Sequence, residues 1–517
     1  MTLNNNKRIA KNSLILSLRM LLILIISLYI TRLVLNTLGV IDFGIYNVVG
    51  GIVLMISFLS NTLGAASQRF FAIEIGRNNF SALKNIFSLS VTIYIIISLI
   101  VLLFAETIGL WFLNSKMVIP IDRIEAANWI YQFTVFSFII NILTIPYNSI
   151  IIAHEDMTVY AFIGIIEVVL KLIMVFILIY LSIDKLKLYA VLMFAITCII
   201  TLMNIIVCSK KYKESHFHFF WDKKIFSTLL SFSGWNLFGA ISGVINSQGI
   251  NILLNVFFGP IINTARGIAY QVGSAVSQFV MNFQTSVNPQ ITKYYAADDK
   301  KEMMFLVFKS SKFSFFIFFT LSMPVILETN YILELWLNRL PEYVVLFTRL
   351  VIINILIDTL SYSLQTAALA TGEIKKYQMV VGGVMLLNLP ISYFFLKIGF
   401  MPEVTIYISI ILSIICLLLR TWVLKSLVNF SVIEYYKKVI LVVIVVSLIA
   451  YIIPFILYFK MESSVIRFII VGSTSLLTSI ASIYIIGMDV SEKRFLNEVI
   501  KEKIIKKYNF KSHAKFK

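Results

Sequence analysis

Charged residues make up only 14% of this 517-residue chain, against about 25% in ordinary globular domains. So little charge excludes an exterior wetted on all sides. Cysteine is also scarce: Cys198, Cys208 and Cys416 lie within or at the ends of apolar runs without CxxC spacing, so a disulfide framework and a zinc site are both unsupported. They read as apolar packing residues. Of four histidines, His216 and His218 stand in a basic stretch with no third ligand nearby, and no metal is expected there. The chain has no Walker A sequence, no GxGxxG, no HExxH and no GxSxG. The longest stretches between apolar runs on the side opposite the N-terminus, around Asn114 to Ala127 and Glu328 to Pro341, are too short to fold a catalytic domain. Soluble enzymology is therefore excluded, and no cofactor is expected.

Apolar residues are abundant, at 59% of the chain with a mean hydropathy of +0.91. They form runs of about 20, the length that crosses a bilayer. The expected fold class is an all-α integral membrane protein of about 14 transmembrane helices. Candidate helices lie near 9–38, 43–68, 85–113, 128–152, 159–182 and 187–208, then near 225–257, 261–292, 304–327, 342–370, 376–398 and 402–425, with two more near 438–459 and 465–487. The implied organisation is a six-helix bundle over 1–222, a second over 223–430, two additional helices over 431–487 and a basic tail over 488–517. Lys7, Arg8 and Lys11 precede the first run, which is too long for a signal-peptide core and is read as a retained membrane helix.

A net charge of +18 would point a soluble protein toward nucleic acid, but here the cations lie mainly between the apolar runs. With fourteen spans, about 30 of the 44 Lys and Arg fall on the side of the N-terminus and about nine on the opposite side. That partition predicts both termini and the Lys210 to Lys224 loop on the cytoplasmic side. It makes the charge a topology signal rather than a nucleic-acid site. The tail lysines, Lys501, Lys503, Lys506, Lys507 and Lys511, are expected against anionic headgroups.

The two sets of six helices resemble one another at a spacing of about 220 residues, more than chance matching would supply. Leu38-Gly39 followed by Gly44-Ile45-Tyr46 matches Phe258-Gly259 followed by Gly267-Ile268. Gln68 with Phe70-Phe71-Ala72 matches Gln290 with Tyr294-Tyr295-Ala296, and Ala153 to Asp156 before Tyr160 matches Ala370 to Glu373 before Tyr377. A repeat of an even number of helices keeps its orientation, as in transporters with parallel repeats.

Ionisable residues inside apolar runs cost several kcal/mol unless they face water or a partner. They are Arg19, Glu167, Lys171, Arg266, Arg349, Asp358 and Arg420, with Arg32 near a helix end, and the cations outnumber the carboxylates. Arg420, five residues from Lys425, is expected to snorkel. Arg32 and Arg349 could snorkel outward, Glu167 and Lys171 could neutralise each other at i,i+4, and Asp358 could pair with one of the cations. Arg266 sits on a polar or small stripe with Tyr270, Gly273, Ser277, Gln284 and Asn288, beside Gln271. The preceding helix shows Asn236, Gly243, Ser247, Asn251 and Asn255, and a third shows Asn354, Asp358, Ser361 and Gln365. Such faces can serve helix packing alone, and Gly239 with Gly243 makes a GxxxG. Together with buried cations they predict a hydrated cavity for an anionic ligand, and the guanidinium fork suits pyrophosphate. The candidate substrate-binding residues are Arg266, Arg19, Arg32, Lys171, Arg349, Asp358, Asn251 and Gln271.

Lys11-Asn12-Ser13 opening the first helix, the turn from Leu38 to Tyr46, and Asn263-Thr264-Ala265-Arg266-Gly267 opening the eighth carry a family resemblance. The chain resembles the Wzx-type polysaccharide flippases of the multidrug/oligosaccharidyl-lipid/polysaccharide (MOP) superfamily, with the MATE-like fold. The resemblance covers the first twelve helices and fits the last two. It implies a V-shaped pair of six-helix bundles around a cavity that opens to alternate sides, and a non-enzymatic transport function. The implied substrate is an undecaprenyl-pyrophosphate-linked oligosaccharide crossing a bacterial inner membrane for O-antigen, capsule or exopolysaccharide synthesis. Membrane lipids and polysaccharide assembly proteins are the implied partners. The family's cavity arginines carry over to Arg266; the same role for Arg19, Arg32 or Lys171 rests on depth and charge. Rival readings are a drug/cation antiporter of the same superfamily, which needs a carboxylate-dominated site, a lipid II flippase, and a membrane-embedded polymerase or glycosyltransferase, against which the short loops count.

Overall fold

The computed structural model describes residues 3–54, 79–223 except 155 and 182, 242–494 except 338 and 372, Asn497, and scattered positions between 64 and 77. These residues are helical almost throughout: α1 (Leu3–Leu54), α2 (Phe80–Lys116), α3 (Ile124–Ala153), α4 (Met157–Tyr180), α5 (Lys185–Lys211), α6 (Ile250–Phe258), α7 (Pro260–Ala296), α8 (Lys300–Leu327), α9 (Thr329–Leu337), α10 (Val344–Ala370), α11 (Lys375–Lys397), α12 (Val404–Val428), α13 (Val432–Lys460) and α14 (Val465–Gly487). Among the described residues, 11 helices are long and apolar enough to cross a membrane. The protein is an all-helical, multi-pass integral membrane protein. The expected first and second spans are joined across a kink in α1, the expected seventh lies largely outside the described residues, and α7, too polar to count among the 11, is the expected eighth. The tail lysines from Lys501 onward also lie outside the described residues.

The exterior is apolar where a soluble protein would be charged. On α13 and α14, Leu448, Phe459, Ile466 and Leu477 are each more than half exposed, a surface that only lipid would stabilise. Inside, the chain divides into two compact units. The first comprises residues 1–271, 336–347 and 374–412; the second comprises 272–335, 348–373 and 413–517. In the first unit, Ile45, Val48 and Val49 of α1 pack with Tyr94 and Val101 of α2 and with Tyr131 and Val135 of α3. In the second, Phe318, Phe319 and Met323 of α8 pack with Ile352, Ala450 and Val471.

The sequence repeat appears as a repeated turn. Gly39 breaks α1 with φ 82° and ψ 171°, and Gly259, 220 residues later, separates α6 from α7 with φ 77° and ψ −174°. Only glycine adopts this region without a Cβ clash, so the matched glycines set matched corners. The helices leaving them then cross with reciprocal contacts. Thr264 Oγ1 donates to the Val40 carbonyl at 2.6 Å, while Gly44 presses against the Pro260 carbonyl and Thr264. Gln271 Nε2 donates to Thr31 Oγ1 at 2.7 Å, and Gly51 faces Asn251 and Gln248. Adding 220 to one member of each contact and subtracting it from the other yields its counterpart, as internal two-fold pseudosymmetry requires.

Gly44 is where this crossing is tightest, since a Cβ there would lie 2.0 Å from the Pro260 carbonyl oxygen. A backbone atom cannot swing aside, so Gly44→Ala should push α7 off α1 at an overpacking cost of about 1–3 kcal/mol. Thermal unfolding of the purified protein should show a lowered Tm. Gly50→Ala, with no neighbour within 4 Å of the added Cβ, should leave Tm equal or higher; equal Tm values for the two variants would refute the close crossing.

Candidate functional site

The crossing of α1, α6 and α7 gathers polar side chains in the first unit. Asn263 Nδ2 donates to Asn251 Oδ1 at 2.8 Å and to the Asn251 carbonyl at 2.6 Å, and Asn251 Nδ2 reaches the Asn47 carbonyl at 3.4 Å. One turn beyond Asn263, Arg266 is only 5% exposed. Its Nη2 donates to the Ser247 carbonyl at 3.0 Å, and its guanidinium lies 4.4 Å from the centroid of the Tyr270 ring. Ser247 belongs to a wide turn, Ile245–Gly249, of the kind often found at functional sites. No carboxylate among the described residues pairs with Arg266. Among the described residues, a cation–π contact and one carbonyl bond engage the guanidinium while leaving its charge uncompensated. The arrangement suits a group that brings negative charge and several acceptor oxygens.

The sequence profile of a family described as "Polysaccharide biosynthesis protein" matches residues 9–295, more than half of the chain. The chain belongs to the polysaccharide biosynthesis protein family. No curated protein matches it by sequence. Among solved structures it is similar to "Lipid II flippase MurJ, inward closed conformation" at 15% identity and a TM-score of 0.67, over 92% of this chain and 98% of that one. It is also similar to an inward-facing multidrug resistance MATE family transporter of the MOP superfamily, at 13% identity and a TM-score of 0.57, over 81% of this chain and 96% of that one. At these identities the likeness concerns the fold alone, which is all-helical and like that of the MurJ and MATE structures.

In this member of the polysaccharide biosynthesis family, the residues singled out from the sequence fall into separate places. Asn251, Arg266 and Gln271 lie along α6 and α7 beside their crossing with α1, each bonded to a different partner, and Arg32 is part-buried on α1 next to Thr31. Arg19 lies on α1, its side chain outside the described residues. Lys171 is elsewhere in the same unit: its Nζ donates to Glu167 Oε1 at 2.5 Å, and the pair lines a cavity of about 250 Å³ with Tyr46, Asn141 and Thr197. Arg349 and Asp358 belong to the second unit. Arg349 Nε donates to the Ile326 carbonyl at 3.1 Å, holding the end of α8. Asp358 accepts from Asn354 Nδ2 at 3.3 Å and shares the electrostatic field of Arg420.

Arg420 does not snorkel as its position near Lys425 suggested; it is 7% exposed within the second unit, near Asp358. The long polar stripes also divide by role. Gln284 is 2% exposed and donates to Ser314 and Ser363, and Asn255 is fully buried, its Oδ1 accepting from the Val118 amide at 3.0 Å. Those two positions serve packing. Sequence reasoning missed Arg123, counted only as a loop cation. Its Nε donates to Asp42 at 2.8 Å and its Nη1 to Asp184 at 3.0 Å, tying the corner after Gly39 to the start of α5. Burial pushes the Asp184 carboxyl upward, but the Lys187 amide and the Arg123 guanidinium outweigh it and hold the group below its usual range. Asp42 within the repeated turn was the available signal. His218, too, is structural: its ring nitrogens meet Ser88 Oγ at 2.8 Å and Asn85 Oδ1 at 2.9 Å on α2.

Proposed function

We propose that this protein flips an undecaprenyl-pyrophosphate-linked oligosaccharide across a bacterial inner membrane by alternating access, with both termini cytoplasmic. The supporting observation is Arg266: a guanidinium 5% exposed, stacked on Tyr270, with no carboxylate partner among the described residues. A buried uncompensated cation is costly in a membrane protein, and a pyrophosphate that arrives with the substrate would relieve it. Arg266 then binds the pyrophosphate from α7, at the seam between the bundles proposed over 1–222 and 223–430. The Asn251 and Gln271 amides offer N–H donors beside it, and Arg19 and Arg32 line the route with positive charge. Alternation of the two bundles about the glycine corners at 39 and 259 would carry the headgroup across while the lipid tail stays in the bilayer.

Membership of the polysaccharide biosynthesis family supports a saccharide cargo rather than a cationic drug. The purified protein in vesicles should move the lipid-linked oligosaccharide in a time-dependent way and leave a fluorescent cationic drug where it started. Movement of the drug alone would replace this reading with an antiporter. Movement of lipid II in preference to the oligosaccharide would replace it with a peptidoglycan-precursor flippase.

A further inference from the structure

The second unit holds a basic cavity that the transport reading does not use. It has a volume of about 590 Å³ and lies among the first turns of α8, the first turns of α13 and the residues at and after the end of α14. Five lysines line it: Lys301, Lys309, Lys312, Lys437 and Lys438. The three carboxylates of the lining are already engaged. Glu492 takes Lys312 Nζ at 2.8 Å in a buried pair, and Glu434 takes Lys438 Nζ at 2.8 Å. Asp489 accepts from the Ser491 hydroxyl at 2.6 Å and the Glu492 amide at 2.8 Å. Lys301, Lys309 and Lys437 make no ion pair among the described residues; Lys309 acts on Asp489 only through space and lies 4.2 Å from the centroid of Phe305.

Most of the remaining lining is apolar, and part of it faces outward. Phe305 is 46% exposed and Ile486 38% exposed. A free anion would need only the ammonium groups. A ligand with a phosphate and hydrocarbon chains would use both halves, because basic pockets between membrane helices accept lipid headgroups while neighbouring apolar side chains meet the acyl chains.

We infer that this cavity binds the phosphate headgroup of an anionic phospholipid from the surrounding leaflet, held by Lys301, Lys309 and Lys437 with its chains against Phe305 and Ile486. The bound lipid is a companion of the protein, separate from the cargo and from Arg266. Its headgroup ties α8 and α13 together at one end of the unit.

The test is lipid retention by the full-length protein in detergent, read by native mass spectrometry during titration with phosphatidylglycerol or phosphatidylethanolamine. Wild type should retain phosphatidylglycerol preferentially, and the triple variant Lys301→Gln, Lys309→Gln, Lys437→Gln should weaken that retention by about tenfold or more. The corresponding triple Lys→Arg variant should keep it. A charge-matched control, Lys116→Gln with Lys397→Gln and Lys460→Gln, should leave it unchanged. If the glutamine triple cannot be purified, Lys437→Glu at an exposed position is read in the same way. Equal retention of the two lipids, undiminished retention by the glutamine triple or by Lys437→Glu, or an equal loss in the control would overturn the inference. So would displacement by inorganic phosphate or pyrophosphate as effective as by lipid, since the site would then recognise a free anion.

Discussion

Arg266→Ala abolishes polysaccharide export in cells that insert the variant into the membrane at normal levels. The expectation follows from what Arg266 lacks: among the described residues it has a π contact to Tyr270 and one bond to the Ser247 carbonyl, and no acid to neutralise it. A structural role confined to those contacts would be worth about 1.5–3 kcal/mol for a hydrogen bond involving a charged group. Its loss would appear as lower Tm and lower abundance. A pyrophosphate-binding role predicts a different pattern. Addition of lipid-linked substrate should raise the Tm of wild type, raise that of Arg266→Lys by less, and leave Arg266→Ala unmoved, because an ammonium keeps the charge but loses the planar fork. Export should follow the same order. Normal export by a well-expressed Arg266→Ala protein would return the residue to helix packing. An Arg266→Ala variant that still gains Tm with substrate would do the same.

The second large effect concerns Arg467, which is remote in sequence from its carboxylate partner. Its Nε and Nη2 each donate at 2.9 Å to the two oxygens of Glu328, whose side chain is 1% exposed, and its guanidinium lies 4.7 Å from the centroid of the Tyr458 ring. Arg467 opens α14, Glu328 closes α8 and Tyr458 ends α13, so one fork joins three helix ends in the second unit. Arg467→Ala strands a buried carboxylate, and breaking such a pair costs about 3–5 kcal/mol. The variant should show a strong fall in Tm and in yield. Arg467→Ala combined with Glu328→Gln should recover much of the loss, since the second change removes the stranded charge. Equal stability of Arg467→Ala and wild type, or a double variant no better than the single one, would show that the pair contributes little.

The membrane fold was legible because lipid imposes a simple rule on sequence. A chain that satisfies its backbone hydrogen bonds within each helix and meets lipid on the outside must show apolar runs of bilayer length, and this chain does. The repeat was legible for an equally local reason. A backbone with φ near +80° calls for glycine, so Gly39 and Gly259 mark equivalent corners at a separation of 220 residues. Arg266 also stood out as a candidate, because a cation in an apolar run next to amides and hydroxyls is expensive wherever the helix turns.

What hydropathy could not convey is the rotation of one helix against another. Polar stripes looked alike along α6 and α7, yet tertiary packing closed Gln284 and Asn255 into buried hydrogen bonds and left Arg266 with uncompensated charge. Arg420 lies near a helix end, where snorkelling is the cheapest outcome for an isolated helix; packing in the second unit buried it near Asp358 instead. Arg123 with Asp42 and Asp184, and Lys312 with Glu492, join residues between 61 and 180 positions apart, and charge patterning along one helix cannot register such pairs. Membrane residence, helix content and the repeated corner follow from solvent and backbone, which act on each segment alone. Which cations are neutralised and which remain available to a ligand depends on neighbours brought together by packing, and only the tertiary structure supplies those.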